Sequence, residues 1–160
     1  MAYAENTSVP TARTRQEIEE LVLNRYHGEN FGSIVRNDGA AIVFDLKGRR
    51  IRFDVPLPAR DAKEVTHRLD GRSKRYMPRT PIQAGAEWER LSRSRWRALL
   101  LMIKATLEAV EIGIVTFEDA MLPYTVLPNG ATVAEQIGGD VAKAYLDHTM
   151  PTLALGSGKR

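Results

Sequence analysis

The chain has 160 residues, 43% of them hydrophobic and 27% charged, with a formal net charge of +3 and no cysteine. That is the length of one domain with a core of its own, and it excludes a disulfide framework and cysteine-based catalysis. The longest apolar run, Ala98 to Ile103, has six residues against the ~20 that span a bilayer, so a membrane-spanning role is excluded; with no secretory leader in view, the cytoplasm is the expected setting.

Residues 1–13 are polar, lack periodicity and contain Pro10, which reads as a flexible arm. A single domain is then expected over 14–149. Thr14 to Glu17 fits a capping box, followed by Ile18, Leu21 and Val22 at helical spacing and by Gly28 as a stop, predicting a first helix from about Arg15 to His27. Glu17, Glu19 and Glu20 fall near its start, where the helix dipole favours acids. Phe31–Arg36, Ala40–Leu46 and Arg49–Leu57 then read as three antiparallel strands, divided by the Asn37-Asp38-Gly39 and Lys47-Gly48 turns. In the third, Ile51, Phe53 and Val55 alternate with Arg50, Arg52 and Asp54, so one face is apolar and the other charged. Pro56 makes it an edge.

Residues 59–81 carry Arg60, Lys63, Arg68, Arg72, Lys74, Arg75 and Arg79 with few apolar side chains, predicting a mobile basic loop. From Gln83 to Ile112 the apolar residues Trp88, Leu91, Trp96, Leu99, Leu100, Ile103, Leu107 and Val110 recur at helical spacing, which predicts a long amphipathic helix. Short C-terminal helices follow: one capped by Thr116 with Asp119 and ended by Pro123, then a turn over 126–130, then one capped by Thr132 with Glu135 and reaching about Asp147. Gly138 and Gly139 suggest a bend in the last, and 150–160 reads as a flexible tail. The expected class is therefore α+β, with an N-terminal helix, a three-stranded antiparallel sheet, the long helix and the short helices in that order.

The charge is segmental. Residues 1–46 sum to −3, residues 47–104 to +10 and residues 105–160 to −4. Most cations of the middle segment are arginine, which pairs bidentately with phosphate and stacks on bases. A polyanionic partner is one reading; a solvated basic surface, or one satisfied by the chain's own acidic ends, is the other. The candidate phosphate contacts are Arg49, Arg50 and Arg52 on the edge strand, Arg68, Arg72, Lys74 and Arg75 in the loop, and Arg90, Arg93 and Arg97 on the long helix. The three helix arginines fall on one stripe, and with the strand they could flank one groove; Glu87 and Glu89 look too few to neutralise them. Tyr76 beside Arg75 could stack on a base or fold back on the core. The width of the long helix's apolar face invites a second covering surface, either another subunit or the terminal helix.

Catalytic and metal constellations do not emerge. The three histidines are dispersed without metal-ligand spacing, and neither a nucleophile elbow nor a phosphate-binding glycine loop occurs. The adjacent acids Glu118 and Asp119 are explained by the helix cap. The expectation is a non-enzymatic protein without metal or cofactor.

The segments Gly48-Arg-Arg-Ile-Arg-Phe-Asp-Val-Pro-Leu-Pro58, Arg95-Trp-Arg-Ala-Leu-Leu-Leu-Met-Ile-Lys-Ala105, Leu107-Glu-Ala-Val-Glu-Ile-Gly-Ile114 and Val126-Leu-Pro-Asn-Gly-Ala-Thr-Val133, with the opening Tyr3-Ala-Glu-Asn-Thr-Ser-Val9, resemble a family of small uncharacterised phage and prophage proteins. That resemblance implies a viral setting inside a bacterial cytoplasm. The order of three strands and a long helix is also similar to the core of phage single-strand annealing proteins, which implies rings or filaments holding a sugar-phosphate backbone in a basic groove. Together these readings favour binding of single-stranded DNA or RNA by a homo-oligomer. The alternative is an anti-defence or host-takeover protein that binds a host protein.

Overall fold

The computed structural model describes residue 4, residues 7–36 and residues 39–150. Helix α1 (Thr11–Glu20) runs into a π-helical turn (Leu21–Arg25), followed by β1 (Glu29–Arg36), β2 (Gly39–Leu46) and β3 (Arg49–Val55). A short helix α2 (Lys63–Thr66) and strands β4 (His67–Leu69) and β5 (Tyr76–Pro78) precede the long helix α3 (Pro81–Glu111). Helix α4 (Phe117–Met121), a 3-10 turn (Leu122–Tyr124) and α5 (Val133–Asp147) complete the α+β fold. None of the described helices is long and apolar enough to cross a membrane.

The first helix begins earlier than its cap signal suggests. Thr14 donates its backbone N–H to the Pro10 carbonyl (3.1 Å), so Thr11 already lies in the first turn and three residues of the expected arm are helical. Thr14, Ile18 and Val22, four apart, form the buried stripe. Thr14 is thus a core residue rather than a cap, and the capping box with Glu17 does not form. Ala4 in the arm is also buried.

Strand β2 is central and antiparallel to both neighbours. Its alternate residues Ala40, Ile42, Phe44 and Leu46 are buried while those between are partly covered, so the sheet has one core face. The Lys47-Gly48 turn has positive φ at both residues, 48° and 71°, the geometry of a type I′ hairpin. The residues Asn37 and Asp38 of the other turn lie outside the described residues, as do 151–160 of the expected tail.

Helix α3 lies on the core face. Trp96, Leu99, Leu100, Ile103 and Leu107 are buried with Ile18 and Val22 of the first helix, the β2 and β3 residues, and Phe117 and Met121 of α4. The chain itself therefore covers the wide apolar face of the long helix. The terminal helix contributes no buried residue to this core, and it runs unbroken through Gly138 and Gly139.

Gly28 joins the first helical segment to β1 at a point of close approach. A Cβ there would lie 2.6 Å from Val22 Cγ1 and 3.1 Å from the Asp45 carbonyl oxygen. Val22 is stiff at χ1 and fully buried, so neither neighbour yields cheaply. Gly28→Ala is expected to lower stability by about 1–3 kcal/mol, read as a lower urea midpoint with an unchanged m-value.

Candidate nucleic-acid interface

Residues 59–81 are built rather than irregular. After α2 the chain forms a two-stranded antiparallel hairpin, pairing His67 with Pro78, Arg68 with Met77 and Leu69 with Tyr76. The turn is organised by Asp70, whose carboxylate accepts from the Ser73 hydroxyl (2.6 Å) and the Ser73 N–H (3.1 Å). These bonds hold its carboxyl below the usual aspartate range. The negative charge of Asp70 thus shapes the turn from within.

Arg79 fixes the hairpin's foot. Its backbone N–H donates to the Thr66 carbonyl (2.7 Å). Its guanidinium donates to the carbonyls of Glu64 (2.9 Å), Val65 (3.0 Å) and His67 (2.5 Å), and it pairs with Glu87 on α3 at 3.5 Å. One arginine thereby satisfies the carbonyls at the end of α2 that no helical partner reaches. Thr80 and Gln83 then form a reciprocal cap at the start of α3. The ammonium of Lys63 sits 3.8 Å from the Tyr76 ring centre, so one ring face already carries a cation. Arg60 lies over Trp88 in the same way at 4.1 Å, and the indole N–H of Trp88 donates to the Pro58 carbonyl (2.8 Å).

The predicted phosphate contacts divide by what they touch. On α3, Arg90 holds Glu87 (2.7 Å), Arg93 approaches Glu89 (3.9 Å) and donates to the Thr7 carbonyl (3.4 Å), and Arg97 holds Glu17 of α1 (2.6 Å). Arg95 holds Glu64 (3.1 Å) and donates to the Pro56 carbonyl. The carboxylates that looked too few along the helix are thus supplemented by Glu17 and Glu64 from other elements, and the stripe is not a bare wall of a groove. On β3, Arg50 makes a two-pronged pair with Asp45 (2.9 and 3.0 Å), which lowers the Asp45 carboxyl from its ordinary range together with the Asn30 amide. Arg52 holds Asp54 (3.2 Å), the Gly130 carbonyl (2.8 Å) and Glu135 of α5 (2.5 Å), so it anchors the terminal helix to the sheet. Arg49 is different: it is exposed, donates among the described residues only to its neighbour's carbonyl, Gly48 (3.3 Å), and opens onto a depression of ≈ 730 Å³ at the β2–β3 turn.

The hairpin cations Arg68, Arg72, Lys74 and Arg75 form no ion pair among the described residues, and all are exposed. Leu69, Tyr76 and Met77 are exposed beside them. This gives a projecting ribbon with concentrated positive charge and a few apolar contacts. The sequence marked the charge of this segment but missed the scaffold, because the role of Arg79 depends on backbone carbonyls brought together by the turn. Comparison with protein-family models, with characterised proteins and with solved structures finds no match for this chain.

Proposed function

We propose that this chain binds single-stranded nucleic acid without strong sequence preference, through the β4–β5 hairpin, and performs no chemistry on it. The carrying observation is the contrast in charge pairing: Arg68, Arg72, Lys74 and Arg75 form no ion pair among the described residues, Arg68 feeling the Asp70 carboxylate only at longer range, whereas Arg50, Arg52, Arg93 and Arg97 do form them. Cations already held by carboxylates release fewer counterions on meeting phosphate, so the hairpin carries the larger part of the electrostatic attraction. Tyr76 offers its second face to a base, with Lys63 beneath the first. The resemblance to small phage proteins fits a role on nucleic acid inside an infected bacterium.

The test is a titration with unrelated single-stranded oligonucleotides at several salt concentrations. With about four phosphate contacts the plot of log K against log salt should have a slope near −3. A flat plot would overturn the electrostatic reading, and absence of binding to every oligonucleotide would leave the protein-binding alternative in its place.

A further inference from the structure

The three-stranded sheet is partly closed along one edge and open along the other. At the β3 edge Ile51 bridges Thr125, and the Val126 N–H donates to the Arg50 carbonyl (2.8 Å). The far edge of β1 pairs with no strand among the described residues, and β1 holds neither proline nor lysine to blunt it. A bulge disturbs β1 only between Glu29 and Gly32; from Gly32 to Arg36 its register against β2 is regular. Gly32, Ser33, Ile34 and Val35 are all exposed. The two apolar ones lie on opposite faces: Val35, 54% exposed, stands beside the buried Ala40, and Ile34, 50% exposed, stands beside Ala41. Strand-forming backbone that is open along its edge and apolar on both faces is a template for a further strand.

The strand is also complementary to itself. A two-fold axis perpendicular to the sheet sets β1 antiparallel to the β1 of a second copy and keeps the core face of both on one side. With the axis at Ser33, Ile34 stands opposite Gly32 of the second copy, Val35 opposite Phe31 and Arg36 opposite Glu29. The last match depends on the bulge, across which Asn30 and Phe31 together span the single residue Phe44, so that Glu29 and Gly32 lie on the same face. Each pairing is favourable. Val35 and Phe31 are apolar and both on the core face, where Phe31 already stacks on Phe44. A Cβ at Gly32 would meet nothing within 4 Å, which leaves room for Ile34. Glu29 is exposed and forms no ion pair among the described residues, and the register sets a basic position beside it. Moving the axis to Ile34 sets Arg36 opposite Gly32, and moving it to Gly32 carries Arg36 past the end of the second β1. We infer that β1 is the seam of a two-fold dimer, its occupant a second copy of this chain, so that one continuous sheet takes three strands from each copy. No residue of the β4–β5 hairpin enters this seam, so the inference stands independently of nucleic-acid binding.

Sedimentation at micromolar concentration without nucleic acid tests it. The parent should show twice the mass of one 17.9 kDa chain. Glu29→Arg should fall to the mass of one chain, because two arginines then meet at each end of the seam, and Arg36→Glu should do the same with two glutamates. Mixing these two variants should restore the doubled mass, since each end then joins an arginine to a glutamate; restoration also shows that both are folded. Ile34→Lys places a charge on the exposed edge and should be monomeric with the parent's thermal midpoint and oligonucleotide binding. A parent that stays monomeric, or an Ile34→Lys variant that dimerises as the parent does, overturns the inference. So does a pair of charge variants that dimerise singly or fail to associate when mixed.

Discussion

Trp96→Ala is expected to remove about 3–5 kcal/mol of stability, the usual cost of deleting a buried aromatic ring. Trp96 is 2% exposed and sits where the first helix, the sheet and α3 meet in one cluster. The Arg15 guanidinium lies over its ring at 5.8 Å, and the Arg15 Nε is buried without a hydrogen-bond partner among the described residues. Deleting the ring therefore opens a cavity and also takes away the aromatic surface beside the half-buried Arg15. Domains of this kind have only ~5–15 kcal/mol in total, so the variant should unfold at a much lower urea concentration. Met102, on the same helix and exposed, is the control: Met102→Ala should stay within about 0.5 kcal/mol. A loss below about 1 kcal/mol for Trp96→Ala would mean that the long helix does not present this face to the core.

The parts of this fold that were legible in the sequence are those specified by near neighbours. Period-two alternation marked β3, helical spacing marked α3, and the Thr116–Asp119 and Thr132–Glu135 caps lie where the local pattern put them. The Thr14–Glu17 pattern shows the limit of that rule. It has the same local form, but Thr14 belongs to a buried stripe with Ile18 and Val22, and burial of that stripe set the helix start. The hairpin was illegible for a related reason: strands of three residues have no period to detect, and the Arg79 clamp joins groups twelve to fifteen positions apart. The arginine stripe on α3 was legible as charge but not as pairing. Arg90 and Arg93 meet Glu87 and Glu89 of the same helix, but Arg97 meets Glu17, 80 positions away, and Arg95, off the stripe, meets Glu64, 31 positions away, beyond any count made along one helix. What survives of the candidate site is the hairpin segment, whose cations no distant acid reaches, together with the exposed Arg49 at the β2–β3 turn.

That distinction sets the second large effect. Replacing Arg68, Arg72, Lys74 and Arg75 together by Gln should weaken binding to a single-stranded oligonucleotide by roughly two to three orders of magnitude at ~0.1 M salt, because each lost phosphate contact removes about 0.7 of a unit from the salt slope. The slope itself should flatten. The fold should be little affected, since these side chains are exposed and the Asp70–Ser73 turn and the Arg79 clamp are untouched. The comparison variant replaces Arg90, Arg93 and Arg97 by Gln. Sequence alone treats that stripe as a binding surface whose loss spares stability; the ion pairs reverse the expectation. Each partly exposed pair contributes some 0.2–1 kcal/mol, and the Arg97–Glu17 pair joins two helices, so this variant should lose about 1–2 kcal/mol in urea denaturation while keeping the parent's salt slope. If the helix variant loses binding with its stability intact and the hairpin variant binds as the parent does, the nucleic-acid surface lies along α3, and its arginines must exchange their carboxylate partners for phosphate when a strand arrives.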